Sequence, residues 1–121
     1  MTRINCIPVE ELTRQHLVAE YRELPRVFAL AAAAFERGER PEDMPSEYTL
    51  GTGHVRFFYA RLNYVARRHW ELIREMRSRG YQTNYAEPPA RRLPDSWYGA
   101  WEPDADALAT NRARIAERLA A

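Results

Sequence analysis

Leu17-Val18-Ala19-Glu20-Tyr21-Arg22-Glu23-Leu24-Pro25-Arg26-Val27-Phe28 is the stretch that decides the fold. Within it Leu17, Tyr21, Leu24 and Phe28 recur at the four-and-three spacing of one buried helical stripe, and the alanine run Ala31 to Ala34 that follows favours helix. The pattern predicts a helix from about Val9 to Arg37 with Pro25 inside it. Proline has no N–H to donate, and its ring collides with the carbonyl four residues back. The helix is therefore expected to kink there and to leave the Tyr21 carbonyl without its helical donor.

Working outward, Phe58, Leu62, Val65, His69, Leu72 and Met76 form a second stripe, predicting a helix from about Val55 to Arg79 closed by a left-handed cap at Gly80. A third helix is expected from about Asp104, a good N-cap after Pro103, to Leu119, with Leu108, Ile115 and Leu119 on its apolar side. Strands are not readable. Between the helices lie two long loops, one around Pro41, Pro45 and Gly51-Thr52-Gly53, the other from Tyr81 to Pro103 with Pro88-Pro89 and Pro94. Loops of that length in a small domain tend to be functional. The expectation is an all-α fold: a compact single domain over residues 1–121, built of three main helices and two long loops.

The 121 residues contain no lysine, so all 18 basic side chains are arginines and the only primary amine is the N-terminal one. An α-amino group has a pKa of about 7.7–8.0, far below the ~10.4 of a lysine, so part of it is neutral and nucleophilic near pH 7. Thr2 is small enough that removal of Met1 is expected, which leaves a threonine amine at the terminus. Scarcity of lysine also arises where coding composition favours arginine, so the observation licenses amine chemistry without demanding it. The single cysteine, Cys6, excludes an internal disulfide and a cysteine-based zinc site and reads as a small buried residue. The polar start is no signal peptide, and no apolar run is long enough for a membrane span, so an intracellular, cytoplasmic protein with no membrane partner is expected.

Net charge is only +1, but the signs segregate. Acids gather between Glu36 and Glu47 and between Asp95 and Asp106, while arginines gather on the three helices. Guanidinium forks suit phosphate, so the distribution admits a nucleic-acid face that the total charge conceals. On the first helix His16, Glu20 and Glu23 share one side, and Arg22 and Arg26 are a like-charge helical pair that costs stability unless an anion lies beside them. The plain alternative is a set of surface ion pairs, Glu23 with Arg26 and Glu20 with Arg22 or Arg14. His54 and His69 read as satisfied structural histidines. No metal-ligand spacing, serine elbow or phosphate-cradling loop is present, so no metal or other cofactor is expected.

The opening Met1-Thr2-Arg3-Ile4-Asn5, the segment QHLVAEYRELPRVF from Gln15 to Phe28 and the segment GTGHVRFFYARL from Gly51 to Leu62 resemble the pyrimidine-dimer DNA glycosylase family. The likeness extends through Leu72–Met76, Arg77–Tyr81 and the closing NRARIAERL. It implies a metal-independent glycosylase with abasic-site lyase activity on double-stranded damaged DNA. By resemblance the nucleophile is the α-amine of Thr2 and the essential carboxylate is Glu23. Arg3, Gln15, His16, Arg22 and Arg26 match residues that grip DNA near the lesion, and Arg114 and Arg118 match basic positions on the last helix. A monomer is expected, associated with the nucleoid when on DNA.

A phage member of the family that this sequence resembles carries an aromatic-rich tail beyond its last helix that helps recognise the lesion, whereas this sequence stops at Ala121. Trp97, Tyr98 and Trp101 are candidates to stack on bases instead or to fill the core, with the core preferred for Trp101. Two alternatives stay open at this point: an abasic-site lyase or glycosylase for another damaged base, and a helical DNA-binding protein without turnover.

Overall fold

A computed structural model of the protein describes residues 4–84 and 92–120. Among the described residues five α-helices follow one another: α1 (Arg14–Glu23), α2 (Arg26–Glu36), α3 (His54–Phe57), α4 (Leu62–Ser78) and α5 (Ala105–Ala120). Short 3-10 turns lie at Val9–Glu11, Pro41–Asp43 and Asp95–Trp97. Among the described residues there is no strand, only an isolated bridge between Arg61 and Tyr98, so the all-α reading holds. Pro88-Pro89 lies outside the described residues.

Each expected helix is present, but two are divided, and the divisions have local causes. The first begins at Arg14 rather than near Val9, because Thr13 adopts extended geometry and its hydroxyl accepts the His16 amide at 3.4 Å as an N-cap. At Pro25 the chain stays in right-handed helical dihedrals yet the hydrogen-bond ladder breaks, leaving α1 and α2. The second expected helix is interrupted at residues 58–61. There the Ala60 carbonyl accepts from Gly99 at 3.1 Å and the Phe57 carbonyl from Arg61 Nη1 at 2.6 Å, which diverts two acceptors from the helical ladder. Gly99 is required by this close approach, since a Cβ there would lie 2.6 Å from the Ala60 oxygen. Gly80 closes α4 at φ +85°, the left-handed cap expected from its position.

The helical stripes meet as their spacing predicts. Leu17 and Tyr21 of α1, with Leu24 at its C-terminal cap, pack inward against α4, whose Leu62, Val65, Leu72, Ile73 and Met76 are buried with Phe28 and Ala31 of α2. Asp104 caps α5 by accepting the Ala107 amide at 2.8 Å. The apolar side of α5 differs from the expectation: Ile115 is buried, Leu119 is exposed, and the fully buried residue is Asn111. Trp97 is buried, and Trp101 is half-buried, stacked on Tyr48 at 5.4 Å.

Candidate active site

The N-terminal segment is the least ordinary part of the architecture. Ile4, Asn5, Cys6 and Ile7 are all buried, although they form no helix or strand. Buried backbone amides and carbonyls need partners, and here side chains from three helices supply them. The Ile4 amide donates to His54 Nε2 at 2.9 Å. Asn111 Oδ1 on α5 accepts both the Cys6 and Ile7 amides, at 2.7 and 3.1 Å. Tyr64 of α4 donates its hydroxyl to the Asn5 carbonyl at 3.2 Å, and Arg68 Nη1 donates to the Ile7 carbonyl.

The segment is fastened to α1 by an ion-paired centre. Asn5 Nδ2 donates to Glu20 Oε1 at 2.9 Å, and Asn111 Nδ2 donates to Asn5 Oδ1 at 2.9 Å. Arg68 grips the same carboxylate with Nε on Oε2 at 2.9 Å and Nη2 on Oε1 at 3.0 Å. Both partners are almost wholly buried. Burial disfavours the Arg68 cation, but the Glu20 carboxylate more than offsets it, so the guanidinium is held above its ordinary pKa. This corrects the expectation that Glu20 pairs with Arg22 or Arg14 at the surface.

One turn further along α1, Glu23 Oε2 accepts from Arg26 Nη1 at 2.9 Å, with both side chains substantially exposed. This is the surface pair that the helical spacing allowed, and it places a carboxylate and a guanidinium together on the open side of α1. Arg22 and Gln15 are exposed on the same helix. His16 is half-buried, its Nδ1 lying 3.0 Å from the Thr13 hydroxyl. Arg114 lies 3.3 Å from Glu117, and Arg118 is exposed on the last turn of α5. Thr2 and Arg3 lie outside the described residues.

Other arginines are structural. Arg79 donates to the Leu12 carbonyl at 2.8 Å and pairs with Glu75 at 2.7 Å, tying the end of α4 to the first 3-10 turn. Arg112 pairs with Glu11 at 2.7 Å. Arg61 lies over the Phe57 ring at 3.8 Å, and burial lowers its pKa. His69 is buried, its Nε2 3.3 Å from the Tyr21 carbonyl, and burial depresses its pKa despite that bond. Cys6 is buried with its thiol pKa raised by burial, as a structural cysteine should be.

Asn5, Arg68 and Asn111 were given no role from sequence and Glu20 was expected at the surface, although a signal exists. Each helical member falls in phase with an apolar stripe: Glu20 between Leu17 and Leu24, Arg68 between Val65 and Leu72, Asn111 between Ala107 and Ile115. A polar residue in such a phase must find a buried partner.

The protein so described is a helical, arginine-rich one that presents a carboxylate beside guanidinium groups and carries its N-terminal segment through its own core. The family model of pyrimidine dimer DNA glycosylase matches residues 1–87. The chain belongs to that family, and its class is that of a DNA repair glycosylase acting on DNA. The match includes Thr2, Glu23 and the first-helix arginines but stops before α5, so Arg114 and Arg118 lie beyond it. No helix among the described residues is long and apolar enough to cross a membrane.

Proposed function

We propose that the protein excises pyrimidine dimers from double-stranded DNA and then cuts the strand as an abasic-site lyase, with the Thr2 α-amine as nucleophile and Glu23 as the acting carboxylate. It works as an intracellular monomer, a single domain over residues 1–121, without a cofactor. The neutral amine attacks C1′ of the damaged nucleotide. The glycosidic bond breaks, and its electron pair leaves with the base, which takes up a proton. Glu23, ionised, stabilises the oxocarbenium-like positive charge and then the protonated imine that forms as the sugar ring opens. The imine acidifies the C2′ proton. Glu23, or a water that it holds, removes that proton, and the C3′–oxygen bond breaks with its electrons going to the departing phosphate.

One observation supports this reading above the others. Asn5 is bonded to Glu20, one helical turn from Glu23, and Thr2 is three residues before Asn5. Three extended residues reach at most about 10–11 Å, while side chains three apart on a helix are about 5–6 Å apart at Cβ. That length of chain allows an amine at Thr2 to reach the Glu23 carboxylate, as the mechanism requires. In this reading Arg3, Arg22 and Arg26 bind flanking phosphates and, as positive neighbours, favour the neutral amine. Gln15, His16, Arg114 and Arg118 contribute further DNA contacts. The duplex must deform to admit the amine, which costs least at a damaged, poorly paired site.

Borohydride reduction in the presence of ultraviolet-irradiated, abasic and undamaged duplexes tests the proposal. Covalent adducts at the N-terminal residue with both damaged substrates are expected. Adducts with abasic DNA alone would reduce the activity to that of a lyase, and incision undiminished after N-terminal acetylation would remove the amine from the mechanism. Intact mass shows whether Met1 has been removed.

A further inference from the structure

We propose that His54 is a positioning residue for the N-terminal amine, holding the segment that carries it through the hydrogen bond from the Ile4 amide to Nε2. The proposal rests on the amine mechanism just given. His54 is buried, and both ring nitrogens have backbone partners: Nε2 lies 2.9 Å from the Ile4 amide nitrogen and Nδ1 2.8 Å from the Thr49 carbonyl oxygen. A carbonyl can only accept, so the proton sits on Nδ1; an amide can only donate, so Nε2 is the acceptor. The ring is thus a neutral imidazole in one tautomer, bridging the loop at Thr49 to the start of the chain.

Its own placement is fixed. The His54 amide donates to the Gly51 carbonyl at 3.1 Å, and Gly53 precedes it at φ +89°, a left-handed conformation that a larger side chain would strain. Tyr48 and Phe58 wall the ring edge-on at 5.8 and 5.7 Å. The titratable group in that wall is the Tyr48 phenol, which burial keeps protonated far above neutral pH. The charged groups near the start of α3, Arg56 and Glu39, pair with each other at 2.9 Å. Two residues separate the Ile4 amide from the Thr2 amine, a span of about 7 Å at most, so the clamp limits where the nucleophile can swing.

The test compares wild type, His54→Gln and His54→Leu in single-turnover borohydride trapping on an abasic duplex, with affinity for an uncleavable duplex measured alongside. Gln keeps a neutral acceptor, while Leu has none. The trapping rate at saturating DNA is expected to fall about 10–100-fold in His54→Leu, the scale of a misplaced reacting group, with affinity unchanged. His54→Gln is expected to retain most of the rate, because it keeps an acceptor for the Ile4 amide. A wild-type rate in His54→Leu would overturn the proposal. Should that variant not fold, His54→Asn, whose shorter side chain cannot span to the Ile4 amide, takes its place, and a wild-type rate in it would overturn the proposal. If wild type forms no adduct through its terminal amine, the mechanism beneath falls as well; an intact wild-type adduct with an indifferent His54 sinks the positioning role alone.

Discussion

Glu20 and Glu23 are the same residue type three positions apart on one helix, and their surroundings are opposite. Glu20 is buried and held by Arg68 and Asn5, whereas Glu23 is half-exposed beside Arg26. A carboxylate satisfied on both oxygens by buried donors cannot readily turn to a substrate, but one shared with a solvated arginine can. For Glu23→Gln we expect DNA binding to persist while strand cleavage falls by at least about two decades, the lower range for a positioned acid–base group. Near wild-type cleavage would exclude Glu23. Arg68→Met should instead cost stability, about 3–5 kcal/mol in chemical denaturation, because the Glu20 charge is left buried without its cation. The double variant Glu20→Leu/Arg68→Met should recover part of that loss, and an additive loss would show that the pair is not the source. Glu23 was legible in the sequence through its arginine neighbours and the family resemblance. Glu20 was misread because helical spacing alone does not say which of two adjacent faces is turned inward.

At the scale of elements, the sequence located the consequence of Pro25 but not its remedy. The missing proline N–H leaves the Tyr21 carbonyl without its helical donor, as expected. The structure brings His69 Nε2 to that carbonyl at 3.3 Å, with the imidazole stacked on the Tyr21 ring at 5.6 Å. A residue 48 positions away completes the broken ladder, and no local pattern announces such a pairing. The interruption at residues 58–61 was illegible for a similar reason, since it depends in part on the Gly99 amide of a distant segment reaching the Ala60 carbonyl. The histidine has a consequence for acid stability. Burial lowers its folded pKa below the unfolded value of about 6.5, so the unfolded chain binds more protons between the two values. The His69 contribution is thus complete above about pH 6.5 and is lost as pH falls below it, at no more than about 1.4 kcal/mol per pH unit. Denaturant midpoints measured down the pH scale should show this loss in wild type. His69→Gln should flatten it, and a parallel decline in that variant would assign the acid lability elsewhere.

For the whole molecule, the distribution of arginine matters more than its number. Arg61, Arg68 and Arg79 are spent on carbonyls and carboxylates inside the fold, so the arginine-rich second stripe is only partly a surface for phosphate. Arg67 and Arg74 are exposed, but they lie on the side of α4 opposite its buried residues, and α1 packs on those buried residues. Arg22 likewise points outward from α1, so the two exposed faces look away from each other. A single duplex seated over Glu23 meets the α1 face and not the α4 one. Each phosphate contact released lowers the logarithmic salt dependence of binding by about 0.9. Arg22→Ala and Arg26→Ala should therefore each weaken binding to a dimer-containing duplex and reduce that slope by about one unit. Arg74→Ala should leave it unchanged. Titrations over a range of salt concentrations decide the matter: an equal change in all three variants would mean that the protein attracts DNA by its diffuse charge, and a change confined to Arg74 would place the duplex on the far side of the molecule from Glu23.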